Sequence, residues 1–150
     1  MSILAVDLGT TNVKVAAFDS GLKTLARQTR SVSYYRSKNT VEFDADQYFQ
    51  LVAEGISSCV AGAGVEPTRF RHLVVTGQAE SLVLLGPDGI PLCRGISWLD
   101  MRSEAECIEL RNVFPEKQTY QITGQPSIIP TWPITKMLWL RKNDPRSTVG

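Results

Sequence analysis

The segment Asp7-Leu8-Gly9-Thr10-Thr11-Asn12-Val13-Lys14 joins two apolar, β-rich runs, Ile3–Val6 and Val13–Phe18, with no helix between them. Asp19-Ser20-Gly21 then supplies strong turn chemistry before a mixed run from Leu22 to Val32. The chain is therefore expected to begin with a strand followed by a hairpin. Between Asp44 and Gly64 the period changes: Tyr48, Leu51, Val52, Ile56, Cys59, Val60 and Ala63 recur at helical spacing. Asp44 and Gln47 stand like a cap and its reciprocal partner, and Gly62 or Gly64 can stop the helix. Leu73–Thr76 returns to strand character. Leu82–Leu85 and Ile90–Cys93 flank Gly86-Pro87-Asp88-Gly89, which predicts a second hairpin. A stripe of Cys107, Leu110 and Phe114 predicts a helix from about Met101 to Phe114, and Pro133 opens another that ends near Lys142. The order is β-β-β-α-β, a hairpin, α, α. Gly124–Trp132 is the only loosely structured stretch expected.

The Asp7–Lys14 segment has the makings of a phosphate clamp. Gly9 lets the backbone approach a bulky anion, Thr10, Thr11 and Asn12 offer polar groups, and Lys14 adds a point charge. Asp7, at the end of its strand, can hold a hydrated Mg²⁺ that bridges phosphates. The spacing is not that of the Gly-x-x-x-x-Gly-Lys-Ser/Thr loop and no helix follows, so a P-loop nucleotidase is excluded.

Two further segments carry chemistry. Thr76-Gly77-Gln78-Ala79-Glu80-Ser81 follows a strand; if the strand continues, Gln78 and Glu80 share one face, and both accept hydrogen bonds from hydroxyl groups. In Gly95-Ile96-Ser97-Trp98-Leu99-Asp100-Met101-Arg102-Ser103 the Trp98 ring can pack on a sugar face, while Asp100 stands where either a helix N-cap or a hydroxyl ligand is wanted.

Charge narrows the partners. The formal net charge is +1, and residues 1–75 and 76–150 are each close to balance, so no basic field draws in nucleic acid or an anionic membrane. Apolar runs are far too short to span a bilayer and no signal-peptide pattern opens the chain, so a cytoplasmic protein is expected. Cys59, Cys93 and Cys107 have no C-x-x-C spacing and read as reduced thiols filling core space. His72, the single histidine, has no motif around it; Trp132 and Trp139 read as packing residues.

The phosphate motif resembles the first phosphate-binding segment of the actin, hexokinase and heat-shock-chaperone ATPase superfamily. Taken in order with Thr76–Ser81, Leu82–Leu85 and the Pro87-Asp88-Gly89 turn, Ile96–Arg102, Ile122-Thr123-Gly124-Gln125-Pro126, Thr135-Lys136 and Leu138-Trp139-Leu140, it resembles the N-terminal part of the FGGY family of carbohydrate kinases, and within it the xylulokinase-like members. That resemblance implies an α/β, ribonuclease H-like fold. Its mixed sheet would start with an antiparallel three-strand unit and be packed by helices. Residues 1–150 would be part of the first domain, carrying the phosphate hairpin and the sugar-binding region, with the C-terminal domain outside them. The family's general base, an Asp, falls past residue 150, so no catalytic base is assigned here and the 150-residue chain alone is expected to be inactive.

By the same resemblance Asp7 positions Mg²⁺ or its waters, and Gly9, Thr10, Thr11, Asn12 and Lys14 contact ATP. Gln78, Ala79 and Glu80 line the sugar pocket, with Trp98 and Asp100 nearby and the stretch around Thr131 and Trp132 closing one side. Ala79-Glu80 replaces the Arg-Glu pair of glycerol kinases and the Met-His pair of xylulokinases, which implies a different polyol or ketose as acceptor. The reaction implied is transfer of the γ-phosphoryl group of ATP to a sugar hydroxyl, with a homodimer allowed. A chaperone-like or regulatory ATPase or binding module built on the same hairpin is the competing reading.

Overall fold

The computed structural model describes residues 1–144. Strands β1 (Ser2–Leu8), β2 (Asn12–Phe18) and β3 (Thr24–Ser31) pair antiparallel in sequence order, as the short connections between them dictate. Register sets Leu4 opposite Ala17 and Val6 opposite Val15. These four and Val13 are buried on one face. Helix α1 (Ala45–Gly62) lays Tyr48, Leu51, Val52, Ile56 and the buried Cys59 across that face. The β2–β3 turn uses the chemistry read from it: the Asp19 carboxylate accepts from the backbone N–H of Gly21 and Lys23 at 2.9 and 3.0 Å. After a 3₁₀ turn, Pro67–Arg69, strand β6 (Phe70–Gly77) runs parallel to β1 and completes the order β3-β2-β1-β6.

These elements form one of two compact units, residues 1–33 with 45–78. The other, residues 34–44 with 79–150, holds a small antiparallel sheet, β4 (Tyr35–Ser37), β5 (Thr40–Phe43) and β7 (Gly95–Ile96), and three helices, α2 (Glu104–Val113), α3 (Glu116–Thr123) and α4 (Pro133–Asn143). No helix among the described residues is long and apolar enough to cross a membrane.

Several expectations need correction in the second unit. The β4–β5 hairpin and α3 were not foreseen. The segment around Gly86–Gly89 turns as expected, with Gly86 N–H donating to the Ile90 carbonyl at 2.8 Å. It nevertheless forms no strands, only isolated bridges Leu85–Pro91 and Leu82–Ile96. Proline has no N–H to give a ladder, and Pro91 stands directly opposite Leu85. Helix α2 starts at Glu104 rather than Met101, with Ser103 at its N-cap position.

Candidate functional site

The hairpin β1–β2 brings its polar residues to one end of the first unit. Asp7 stands opposite Lys14, and Lys14 Nζ lies 3.5 Å from Asp7 Oδ2, both side chains being well exposed. A pair so placed contributes little to stability, so both charges remain at the disposal of a ligand. Between them the turn is tight: a Cβ on Gly9 would come within 2.5 Å of the Asn12 carbonyl oxygen, a contact only glycine avoids. Neighbours brace the turn. Tyr48 Oη donates to the Gly9 carbonyl at 3.0 Å, Val32 N–H to the Thr11 carbonyl at 3.0 Å, and Ser31 Oγ to Asn12 Oδ1 at 3.3 Å.

Gln78 joins this group. Gly77 ends β6 so close to β1 that a Cβ there would meet Leu8 Cβ at 2.6 Å, and Gln78 N–H donates to the Leu8 carbonyl at 2.9 Å. Thr10 Oγ1 then donates to Gln78 Oε1 at 3.3 Å. The strand does not continue as expected: β6 stops at Gly77, and Glu80 takes a left-handed φ of 64°. Gln78 and Glu80 therefore do not share a strand face. A non-glycine residue in that region is strained, of order 1 kcal/mol or more, and such strain survives only where surrounding structure enforces it.

Ala79, Glu80, Trp98 and Asp100 belong to the second unit. Trp98 is half-buried and its backbone N–H donates to Ser81 Oγ at 3.1 Å. Asp100 is completely buried. Its carboxylate accepts from Val41 N–H at 2.6 Å, from Arg102 N–H at 3.0 Å, and from Arg102 Nε and Nη2, each at 2.8 Å. Capping of α2 by Asp100 is thereby overturned: the helix starts too late, and the carboxylate is spent on β5 and Arg102. Arg102 Nη2 also donates to Glu42 at 2.6 Å. Burial alone would lower the Arg102 guanidinium, but the hydrogen bonds it donates to Asp100 and Glu42, with their negative charges, outweigh it and hold the group above its ordinary value.

In the sequence Thr135-Lys136, in the first turn of α4, carried the family resemblance but no side-chain role. Thr135 and Lys136 are both fully buried there. Thr135 Oγ1 donates to the Trp132 carbonyl at 2.8 Å and lies 2.8 Å from Ser103 Oγ; Lys136 Nζ donates to the Thr131 carbonyl at 2.7 Å. The available signal was Pro133 as an N1 residue, which marks the helix start and sets these two side chains just inside it.

Among the described residues no group of three or more His, Cys, Asp or Glu side chains could hold a metal. A lone carboxylate such as Asp7 fits a different mode, in which Mg²⁺ keeps most of its waters and takes its remaining ligands from substrate phosphates.

Residues 2–149 match the family model of the N-terminal domain of the FGGY family of carbohydrate kinases. A xylulose kinase of Staphylococcus epidermidis is 26% identical over 148 residues, which is 95% of this chain and 28% of that protein. A glycerol kinase of Chelativorans is 29% identical over 143 residues, 94% of this chain and 28% of that protein. Among solved structures, a xyloylose kinase from Brucella ovis superposes with a TM-score of 0.89 at 24% identity, covering 98% of this chain and 30% of that one. The chain thus spans less than a third of the length of these relatives. The ribonuclease H-like fold implied by the family resemblance is the fold the solved neighbours share. A Gly9 turn flanked by carboxylate and amine, in a chain matched almost end to end, leads to one conclusion: this chain belongs to the FGGY family of carbohydrate kinases, in its N-terminal domain.

Proposed function

We propose that this chain supplies the phosphate-binding hairpin and part of the acceptor pocket of an ATP-dependent kinase acting on a ketose or polyol. The observation that carries this reading is the Gly9 turn: it excludes any side chain at its apex and leaves Asp7 and Lys14 exposed beside it. Membership of the FGGY family supports kinase chemistry, and ATP is the phosphoryl donor that goes with it.

In this reading the Gly9–Asn12 turn and Lys14 receive the terminal phosphates, and Lys14 offsets the negative charge that builds on the transferred group. Asp7 would hold Mg²⁺ through water; when bound, the ion neutralises charge on the phosphate oxygens. Glu80, in the second unit, accepts hydrogen bonds from acceptor hydroxyls. Ala79 offers no donor, so its neighbours alone set polarity there, which favours an acceptor other than glycerol or D-xylulose. In the reaction, the acceptor oxygen forms a bond to the γ-phosphorus as the bond to the β–γ bridging oxygen breaks; ADP leaves, and the hydroxyl proton passes to a base. We propose that this base lies beyond residue 150 and that the 150-residue chain by itself is inactive.

The test is ADP release by the natural protein against a panel of ketoses and polyols. Release stimulated by at least one sugar supports the kinase. Turnover stimulated by unfolded peptide and indifferent to every sugar would instead support a chaperone-like ATPase.

A further inference from the structure

Lys136 is the largest side chain among the described residues to be wholly removed from solvent. Burying an ammonium without a carboxylate against it is costly, so its surroundings matter. Its one hydrogen bond among the described residues goes to the Thr131 carbonyl, at 2.7 Å. Asp100 cannot serve as a dedicated counter-ion, because Arg102 and Val41 already fill its carboxylate. Burial pushes the Lys136 amine down to about 8, while the negative charges of Asp100 and Glu80 pull it back up. Glu80, in turn, accepts no hydrogen bond among the described residues and is held at a strained backbone angle. The helix turn that carries Lys136 also secures the chain before it, through the bond from Thr135 to the Trp132 carbonyl.

We propose that Lys136 is a positioning residue for the acceptor: its internal ammonium fixes the Pro130–Trp132 turn through the Thr131 carbonyl and supplies the positive charge that orients Glu80 toward acceptor hydroxyls. Lys136 does not touch the acceptor. It acts through Glu80 and through the turn, so its loss weakens acceptor binding and leaves the handling of ATP alone. This inference rests on the kinase reading above and adds to it a residue that sets acceptor affinity.

The test uses the natural kinase as wild type, Lys136→Met, Glu80→Gln and the double variant, with acceptor KM, ATP KM and kcat followed across pH. Lys136→Met is expected to raise acceptor KM about tenfold or more with ATP KM and kcat nearly unchanged, and to add little in the Glu80→Gln background. Wild-type acceptor KM is expected to rise above about pH 8 as the amine loses its proton, a limb absent from Glu80→Gln. The other charged or titratable groups facing the amine are Asp100, Arg102 and Cys107, and burial raises the Cys107 thiol, so it does not account for that limb. If Lys136→Met fails to fold, the wild-type limb and its loss in Glu80→Gln decide alone. An unchanged acceptor KM in folded Lys136→Met, equal penalties in both backgrounds, or a flat wild-type profile overturns the proposal. A wild type that releases no ADP with any sugar overturns the kinase reading itself, and this inference with it.

Discussion

Lys136 also makes stability depend on pH in a definite direction. Its amine titrates near 8 in the folded chain and near 10.5 when unfolded, so between these values the unfolded state binds more protons. Stability contributed by this group is lowest below about pH 8 and recovers as pH rises toward 10.5, by up to ~1.4 kcal/mol per pH unit. Burial raises the Cys59 and Cys107 thiols above their usual 9.0, which works the opposite way at the alkaline end. The Lys136 signal is therefore read as a difference: in urea unfolding, wild type should gain on Lys136→Met as pH rises through this window. A constant difference would show that the amine is not perturbed. At this scale the sequence was only partly legible. The juxtaposition of Gly9, Asp7 and Lys14 could be read because the hairpin that sets it, including the close approach of Gly9 to Asn12, lies within eight residues. Asp100 could not, since its partner Val41 lies 59 positions away and no local pattern announces that bond.

Among the elements, the run Glu42–Asp100–Arg102 ties β5 to the entrance of α2. Removing the Asp100 carboxylate leaves the Val41 N–H without its partner and the nearly buried Arg102 guanidinium with Glu42 alone, a loss of about 3 kcal/mol or more. Asp100→Ala should show this as a lower urea midpoint; a change below about 1 kcal/mol would mean that the carboxylate is replaceable there. Strand β6 has the opposite problem. Among the described residues it pairs only with β1, and Leu73, Val74 and Val75 are 57%, 56% and 54% exposed. Such an apolar run reads as a strand covered on both faces, and an open edge invites pairing. The isolated 150-residue chain should self-associate with concentration in sedimentation, and Leu73→Lys should reduce it; a monomer at all concentrations would contradict this. Strands β1–β3 and helix α1 were legible because their period lasts for several residues and one face is buried. β4, β5 and β7 are two to four residues long, too short for a period, and α3 buries nothing. Its only sequence marks are Pro115 before it and Gly124 after it, which takes the left-handed φ of 74° that ends the helix.

For the whole molecule, the resemblance read from motif order and the family match agree over nearly the full chain. The division into two units was not foreseen. It places Asp7, Gly9, Lys14 and Gln78 in one unit and Ala79, Glu80, Trp98, Asp100 and Lys136 in the other. Local pattern reveals neither that division nor the return of residues 34–44 to the later part of the chain, because both are set by long-range packing. The central claim is that the β1–β2 hairpin handles the phosphates of ATP. It is tested most directly by transfer of labelled γ-phosphate to the best acceptor in the natural protein, wild type against Lys14→Met. Because the Lys14–Asp7 pair is exposed, the variant should melt within about 4 °C of wild type. Its kcat/KM for ATP should fall on the order of a hundredfold. An equally stable Lys14→Met protein that transfers the label as fast as wild type would contradict the claim.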